Sequence, residues 1–206
     1  DWSFLDDYRI GVETSEFSFA VECDIPFRYK EINFEGYDIE ISQLPNGIRY
    51  IGENLSALER EPLSPSFQDF SPQVKVALNQ FHLEGVDGEA ETWEDLGKWM
   101  NDELLYGRDQ LAEGTVQYVQ NLVRNIDDPL EITRKVYQYV QENTRYISVQ
   151  LGIGGWMPIS AADVDRVKYG DCKGLTNYTK ALLKAVGVES YYTVVHAGSQ
   201  MKSLDE

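Results

Sequence analysis

Cys172 is the residue of this chain best placed to do chemistry. It stands in Tyr169-Gly170-Asp171-Cys172-Lys173-Gly174, where a loop turns into a long amphipathic helix. From Leu175 onward, Leu175, Tyr178, Thr179, Leu182, Leu183 and Val186 recur at helical spacing, which predicts a helix with one buried face. Gly187 follows where a left-handed C-terminal residue belongs. Asp171 is the expected N-cap, so Cys172 falls in the first turn, among unpaired backbone N–H groups at the positive end of the dipole. That field favours thiolate over thiol; Lys173 adds to it and Asp171 opposes it. A thiolate so placed attacks a carbonyl carbon, and the N–H of Cys172 itself is the natural donor to the oxyanion that forms. Gln150 is a second candidate oxyanion donor, because a side-chain amide just ahead of a glycine-rich segment can be held rigidly. Trp156 is a weaker one through its indole N–H. Each has a plainer reading: Gln150 as a polar strand-end residue, Trp156 as a packed or groove-lining ring, and Cys172 as a small buried hydrophobe.

A nucleophilic thiol needs a proton acceptor, and the chain has two histidines. A helix from Cys172 to Val186 travels about 22 Å at roughly 1.5 Å per residue. A strand from Glu189 to Val195 returns about 23 Å at roughly 3.3 Å per residue. His196 can therefore come back level with Cys172, although Ala197-Gly198-Ser199 makes it read as a solvated loop histidine. His82 lies in a strand-like run far upstream and reads as structural or superficial. No third residue stands out as an orienting acid. The other cysteine, Cys23, ends the alternating run Phe17-Ser18-Phe19-Ala20-Val21-Glu22-Cys23 and reads as core, with no disulfide to Cys172 expected.

Three blocks carry a family resemblance: Arg145-Tyr146-Ile147-Ser148-Val149-Gln150-Leu151-Gly152-Ile153-Gly154-Gly155-Trp156, Tyr169-Gly170-Asp171-Cys172-Lys173, and Ala181-Leu182-Leu183-Lys184-Ala185-Val186-Gly187-Val188. Together they resemble the transglutaminase-like superfamily, and more narrowly the bacterial multidomain proteins that carry a β-rich domain, DUF3857, ahead of that core. The resemblance implies a papain-like Cys-His-Asp triad with Cys172 as nucleophile, an acyl-thioester intermediate, and a protein or peptide substrate. It implies an enzyme that works as a peptidase, amidase or cross-linker. It also places the family histidine and aspartate on strands after Ser190-Tyr191-Tyr192-Thr193-Val194-Val195. On that reading the chain is a fragment, inactive alone, with a further C-terminal domain in the parent protein. Relatives are often exported, so the resemblance favours an extracytoplasmic site. Gly174 departs from the pattern, since relatives often carry an acidic residue there.

The elements that must position Cys172 fall into two regions. Residues 1–90 read as strands and turns, with an Asn46-Gly47 hairpin signal and a strand over Gln73–Phe81. This predicts an antiparallel β-sandwich-like domain. Gly85-Val86-Asp87-Gly88 marks the boundary, and over 91–206 the period becomes helical. Thr92 caps a helix through Trp99; Val116, Val119 and Val123 mark another; Asp128-Pro129-Leu130-Glu131 opens a third that aligns Ile132, Val136, Tyr139 and Val140. Trp93, Trp99 and Tyr137 read as packing rings. The expected class is α+β: a sheet domain followed by a helical-plus-sheet, cysteine-proteinase-like core cut short at its C-terminal end.

Composition narrows the partners. With 35 acidic against 18 basic residues the formal charge is −17, which excludes a phosphate-neutralising face for nucleic acid. No apolar run is long enough for membrane insertion. No His/Cys cluster, calcium loop or phosphate loop is present, so no metal or cofactor is expected. Three readings remain: a cysteine-dependent acyl-transfer enzyme, a non-catalytic transglutaminase-like binding or assembly module, and an accessory module whose cysteine is structural.

Overall fold

Alternating apolar residues in the first eighty positions build two antiparallel three-stranded sheets around one apolar cluster. The computed structural model describes residues 1–22 and 25–195. Six strands form the sheets: β1 (Trp2–Ser3), β2 (Val12–Ala20), β3 (Phe27–Ile32), β4 (Ile39–Leu44), β5 (Gly47–Leu55) and β6 (Gln73–Leu78). One sheet runs β2-β5-β4 and the other β1-β6-β3. Phe4, Leu5, Ile48, Tyr50, Leu55 and Val74 are buried between them. The expected hairpin is present, with its turn one residue early: Leu44 pairs with Gly47 across Pro45-Asn46. Gly47 is needed for closeness rather than for a left-handed turn. A Cβ on it would lie 1.9 Å from the Phe19 carbonyl oxygen of β2.

The chain divides into two compact units, Asp1–Phe81 and the residues from His82 onward. The expected single strand over Gln73–Phe81 is interrupted at Asn79, whose amide N–H donates to Pro26 O and whose side chain accepts from Arg28. Strand β7 (Gln80–Leu83) then forms a hairpin with β8 (Val86–Glu89), the segment expected as the boundary. His82 is spent on that hairpin: its Nε2 accepts the Gly85 N–H at 3.2 Å, so the proton sits on Nδ1, 2.7 Å from Asp87 Oδ1.

The helical signals are realised where they were read. Helix α1 (Trp93–Trp99) starts at Thr92, whose side chain accepts from Asp95 N–H while Asp95 reaches back. It passes into a π-helical turn, Met100–Leu105, that the sequence did not announce. Helix α2 spans Glu113–Leu122, and α3 (Pro129–Asn143) is capped by Asp128 through the N–H groups of Leu130 and Glu131. A short strand β9 (Arg145–Tyr146), helix α4 (Ala161–Val167), strand β10 (Tyr169–Gly170) and helix α5 (Cys172–Ala185) complete the unit. Val119, Val136, Val164, Tyr178 and Leu182 are its fully buried centre. The chain is thus α+β. Two expectations fail here. Trp93 and Tyr137 are more than half exposed and so are not core rings, whereas Trp99 is buried and donates its indole N–H to Asp87 O at 2.9 Å. Ser190–Val195 forms no strand: its β-branched and aromatic residues suit a sheet, but pairing needs a neighbour, and none of the described residues supplies one. Among the described residues, no helix is long and apolar enough to cross a membrane.

Candidate active site

Cys172 is the first residue of α5, and three local devices put it there. Lys168 takes a left-handed conformation (φ 57°) that ends α4 and turns the chain. Strand β10 then runs parallel to β9, with Arg145 N–H donating to Lys168 O and Ile147 N–H to Gly170 O, both at 3.0 Å. Asp171, 1% exposed, caps α5 by accepting the Gly174 N–H at 2.9 Å. Its other oxygen pairs with Lys173. The two charges that sequence reasoning set against each other at Cys172 are therefore bound to one another. Cys172 itself is a free, exposed thiol, which removes the buried-hydrophobe reading. As first and second residues of the helix, Cys172 and Lys173 have N–H groups with no intrahelical acceptor.

The helix is fixed from behind. Asn177, 2% exposed, donates to Arg108 O at 2.8 Å, and Ala161 N–H donates to the same oxygen at 2.8 Å, which joins α5 to the start of α4. Asp165 of α4 accepts from Tyr178 at 2.6 Å, Thr115 at 2.7 Å and Lys168 at 2.8 Å. Burial alone would raise the Asp165 carboxyl, but those three donors and the Lys168 charge outweigh it and hold it below the usual carboxylate range. Burial, reinforced by Asp165 and Tyr139, pushes the Tyr178 phenol well up.

Helix α5 has two working faces where periodicity gave one. Tyr178, Ala181 and Leu182 form the core face with Gly174 and Asn177. On the opposite side, Cys172, Leu175, Thr176, Thr179, Lys180 and Leu183 line a groove of about 660 Å³ shared with the C-terminal half of α3. Thr179, expected in the core, belongs to this second face, and Leu175 both packs against the core cluster, as expected, and borders the groove. Tyr192 follows the groove segment and is half-buried. Burial, with the nearby charges of Cys172 and Asp171, pushes its phenol up to about 12. Nothing in the sequence singled it out. Helix α4 was also missed, although Ser160-x-x-Asp163 is a readable capping signal and Ser160 does accept the Asp163 N–H.

That fold has a counterpart among solved structures. A crystal structure described as a "putative protease" from Parabacteroides distasonis is similar to this chain, with a TM-score of 0.50 and 15% identity over 86% of its length. At that identity the likeness speaks for the fold alone. The chain spans about a third of that protein, 32% of its length. No family model and no curated protein matches the chain.

Gln150 lies exposed in the loop after β9, and neither it nor Trp156, 46% exposed beyond the turn Gly152–Gly155, lines the groove. His196 and Cys23 lie outside the described residues. A Cβ at Gly174 would meet Val164 at 3.4 Å and Asp171 Oδ1 at 3.5 Å. The space admits a methyl group, whereas a carboxylate would be set beside a buried Asp. Among the described residues no His/Cys/Asp/Glu group could hold a metal.

Proposed function

We propose that this chain supplies the nucleophile of a cysteine-dependent acyl-transfer site, used by its parent protein as a peptidase or related amide-cleaving enzyme. The observation that carries the reading is an exposed thiol on the first residue of a helix whose cap is buried and hydrogen-bonded. The Cys172 thiolate attacks the amide carbonyl carbon, the carbonyl electron pair moves to oxygen, and the N–H of Cys172 receives that charge. Collapse of the adduct expels the amine, which takes up a proton, and leaves an acyl-thioester. Water then releases the acid and returns the thiolate, whereas an amine acceptor would give transamidation. The transglutaminase-like motif around Cys172 and the fold shared with a protein described as a protease both support this reading.

The same reading holds that the chain alone turns over little substrate. The one imidazole among the described residues, His82, is occupied by its own hairpin. Gln150, exposed as it stands, is retained as the candidate second oxyanion donor for a closed, substrate-bound state.

Alkylation by iodoacetamide at pH 6.5 tests the nucleophile, with Cys23 replaced by Ala. Cys172 is expected to react at least several-fold faster in the folded chain than in the same chain in urea. Equal or slower reaction when folded would remove the enzyme reading and leave a binding or assembly module. Because Cys172 is exposed, Cys172→Ala is expected to change stability by no more than about 0.5 kcal/mol while abolishing activity of the parent protein.

A further inference from the structure

The chain carries 35 acidic residues, yet the described residues lining the groove beside Cys172 include no Asp or Glu. Their single charged member is Lys180. It makes no ion pair among the described residues; its charge is felt at Asp109, which is itself paired with Lys184 at 2.7 Å. The floor is aliphatic, with Val140 and Leu183 buried and Leu175 beside them. Tyr137, Tyr146 and Tyr191 stand on its walls, each more than half exposed. The Ser190 hydroxyl oxygen is shut off from solvent and has no hydrogen-bond partner in the described structure. A floor of aliphatic side chains with aromatic walls and one unpaired cation is the chemistry of a site for a peptide with apolar side chains and a carboxylate.

The helix sets the spacing. Eight residues separate Cys172 from Lys180, about 12 Å along the axis at roughly 1.5 Å per residue. An extended peptide covers that distance in three to four residues at about 3.3 Å each. From Cys172 to Leu183 is about 16 Å, or close to five extended residues.

We propose that this groove binds the peptide bearing the reacting carbonyl as an extended segment of about five residues, with an acidic side chain three or four residues from that carbonyl held by Lys180. The inference rests on Cys172 as nucleophile. It adds a substrate class: acidic peptides with aliphatic or aromatic neighbours. Lys180 acts as a specificity-determining residue.

Two affinity reagents test it, acetyl-Glu-Ala-Ala-Phe chloromethyl ketone and its Lys-Ala-Ala-Phe counterpart. Each alkylates a thiolate with loss of chloride, and iodoacetamide serves in parallel as a reagent that makes no use of the groove. The Glu reagent is expected to label Cys172 about fivefold faster than the Lys reagent at low ionic strength, as a partly exposed ion pair allows. Lys180→Glu is expected to reverse the preference. Rapid iodoacetamide labelling with equal rates for the two peptides, or a preference that survives Lys180→Glu, would overturn the groove assignment and leave the nucleophile intact. Slow labelling by all three reagents would overturn both. The ratio of the two peptide rates is internal to each variant, so a partial loss of folded protein does not imitate either result.

Discussion

In residues 1–81 the polar groups near the core are tied to one another. Tyr50 is completely buried, yet its hydroxyl donates to Glu31 at 3.0 Å, and burial followed by that carboxylate raises its phenol. Phe4, Phe34 and Tyr50 meet edge to face at centroid distances of 5.5–6.3 Å, and Arg49 pairs with Glu16 across β5 and β2. The buried Ser71 hydroxyl is the exception. The unit from His82 is arranged differently around α5. One face of that helix is closed by Tyr178, Ala181 and Leu182, and the other opens on a groove that begins at an exposed thiol. Both units bury aromatic and aliphatic residues, so composition does not separate them. What separates them is whether apolar surface next to a reactive group is left uncovered, and such surface is where ligands bind.

The sharpest way to break this contrast is to cut α5 on its two faces. Leu182→Ala, at a fully buried position, should cost about 2–5 kcal/mol, whereas Thr176→Ala on the exposed groove face should stay within about 0.5 kcal/mol. Urea denaturation of the two variants measures both, and similar losses would mean that the groove face is packed after all. In the sheet unit, Gly47→Ala tests closure directly. A methyl group 1.9 Å from a backbone carbonyl forces β2 and β5 apart, at an expected cost near 3 kcal/mol by the same measurement.

A smaller effect is expected at the cap. Asp171→Ala should cost about 1–2 kcal/mol for the lost cap, with more from the Lys173 ammonium left nearly buried without its partner. Asp171→Asn retains an acceptor for the Gly174 N–H and should recover most of the cap term, as thermal denaturation of the pair would show.

The smallest expected effect is one of pH. Asp165 has its carboxyl depressed in the folded chain, so its contribution is fully present above the unfolded value near 3.9 and fades as pH falls through the lower folded value. The stability gap between the natural chain and Asp165→Asn should accordingly shrink from pH 5 toward pH 2. Glu16, also depressed by Arg49 but on the exposed surface, should show a weaker trend in Glu16→Gln. A gap at Asp165 that does not change with pH would show that its three donors do not distinguish carboxylate from carboxylic acid.

The caps and proline starts of α1, α3 and α5 were legible because each is a contact within four residues: Thr92 with Asp95, Asp128 with Glu131, Asp171 with Gly174. The β4–β5 hairpin was legible to within one residue for the same reason, since a two-residue turn limits the register. Ser190–Val195 was not, because strand propensity is only a disposition until a second strand accepts its hydrogen bonds. The break at Asn79 depends on Pro26 and Arg28, some fifty positions away, and no local pattern encodes it.

By itself, the sequence determined that a cysteine begins a capped amphipathic helix, and that the chain is α+β, acidic, and divided between sheet-forming and helix-forming parts. These follow from backbone sterics, capping and residue alternation, all of which act over a few residues. The tertiary structure decided which side of α5 is core and which is groove. It also exposed Cys172, placed Lys180 and Ser190 along that groove, and brought Tyr192 close enough to feel the charge of Cys172. Those outcomes depend on where α3, α4 and the segment after Gly187 come to rest, and a helix's periodicity shows that it has an apolar side without showing what will cover it.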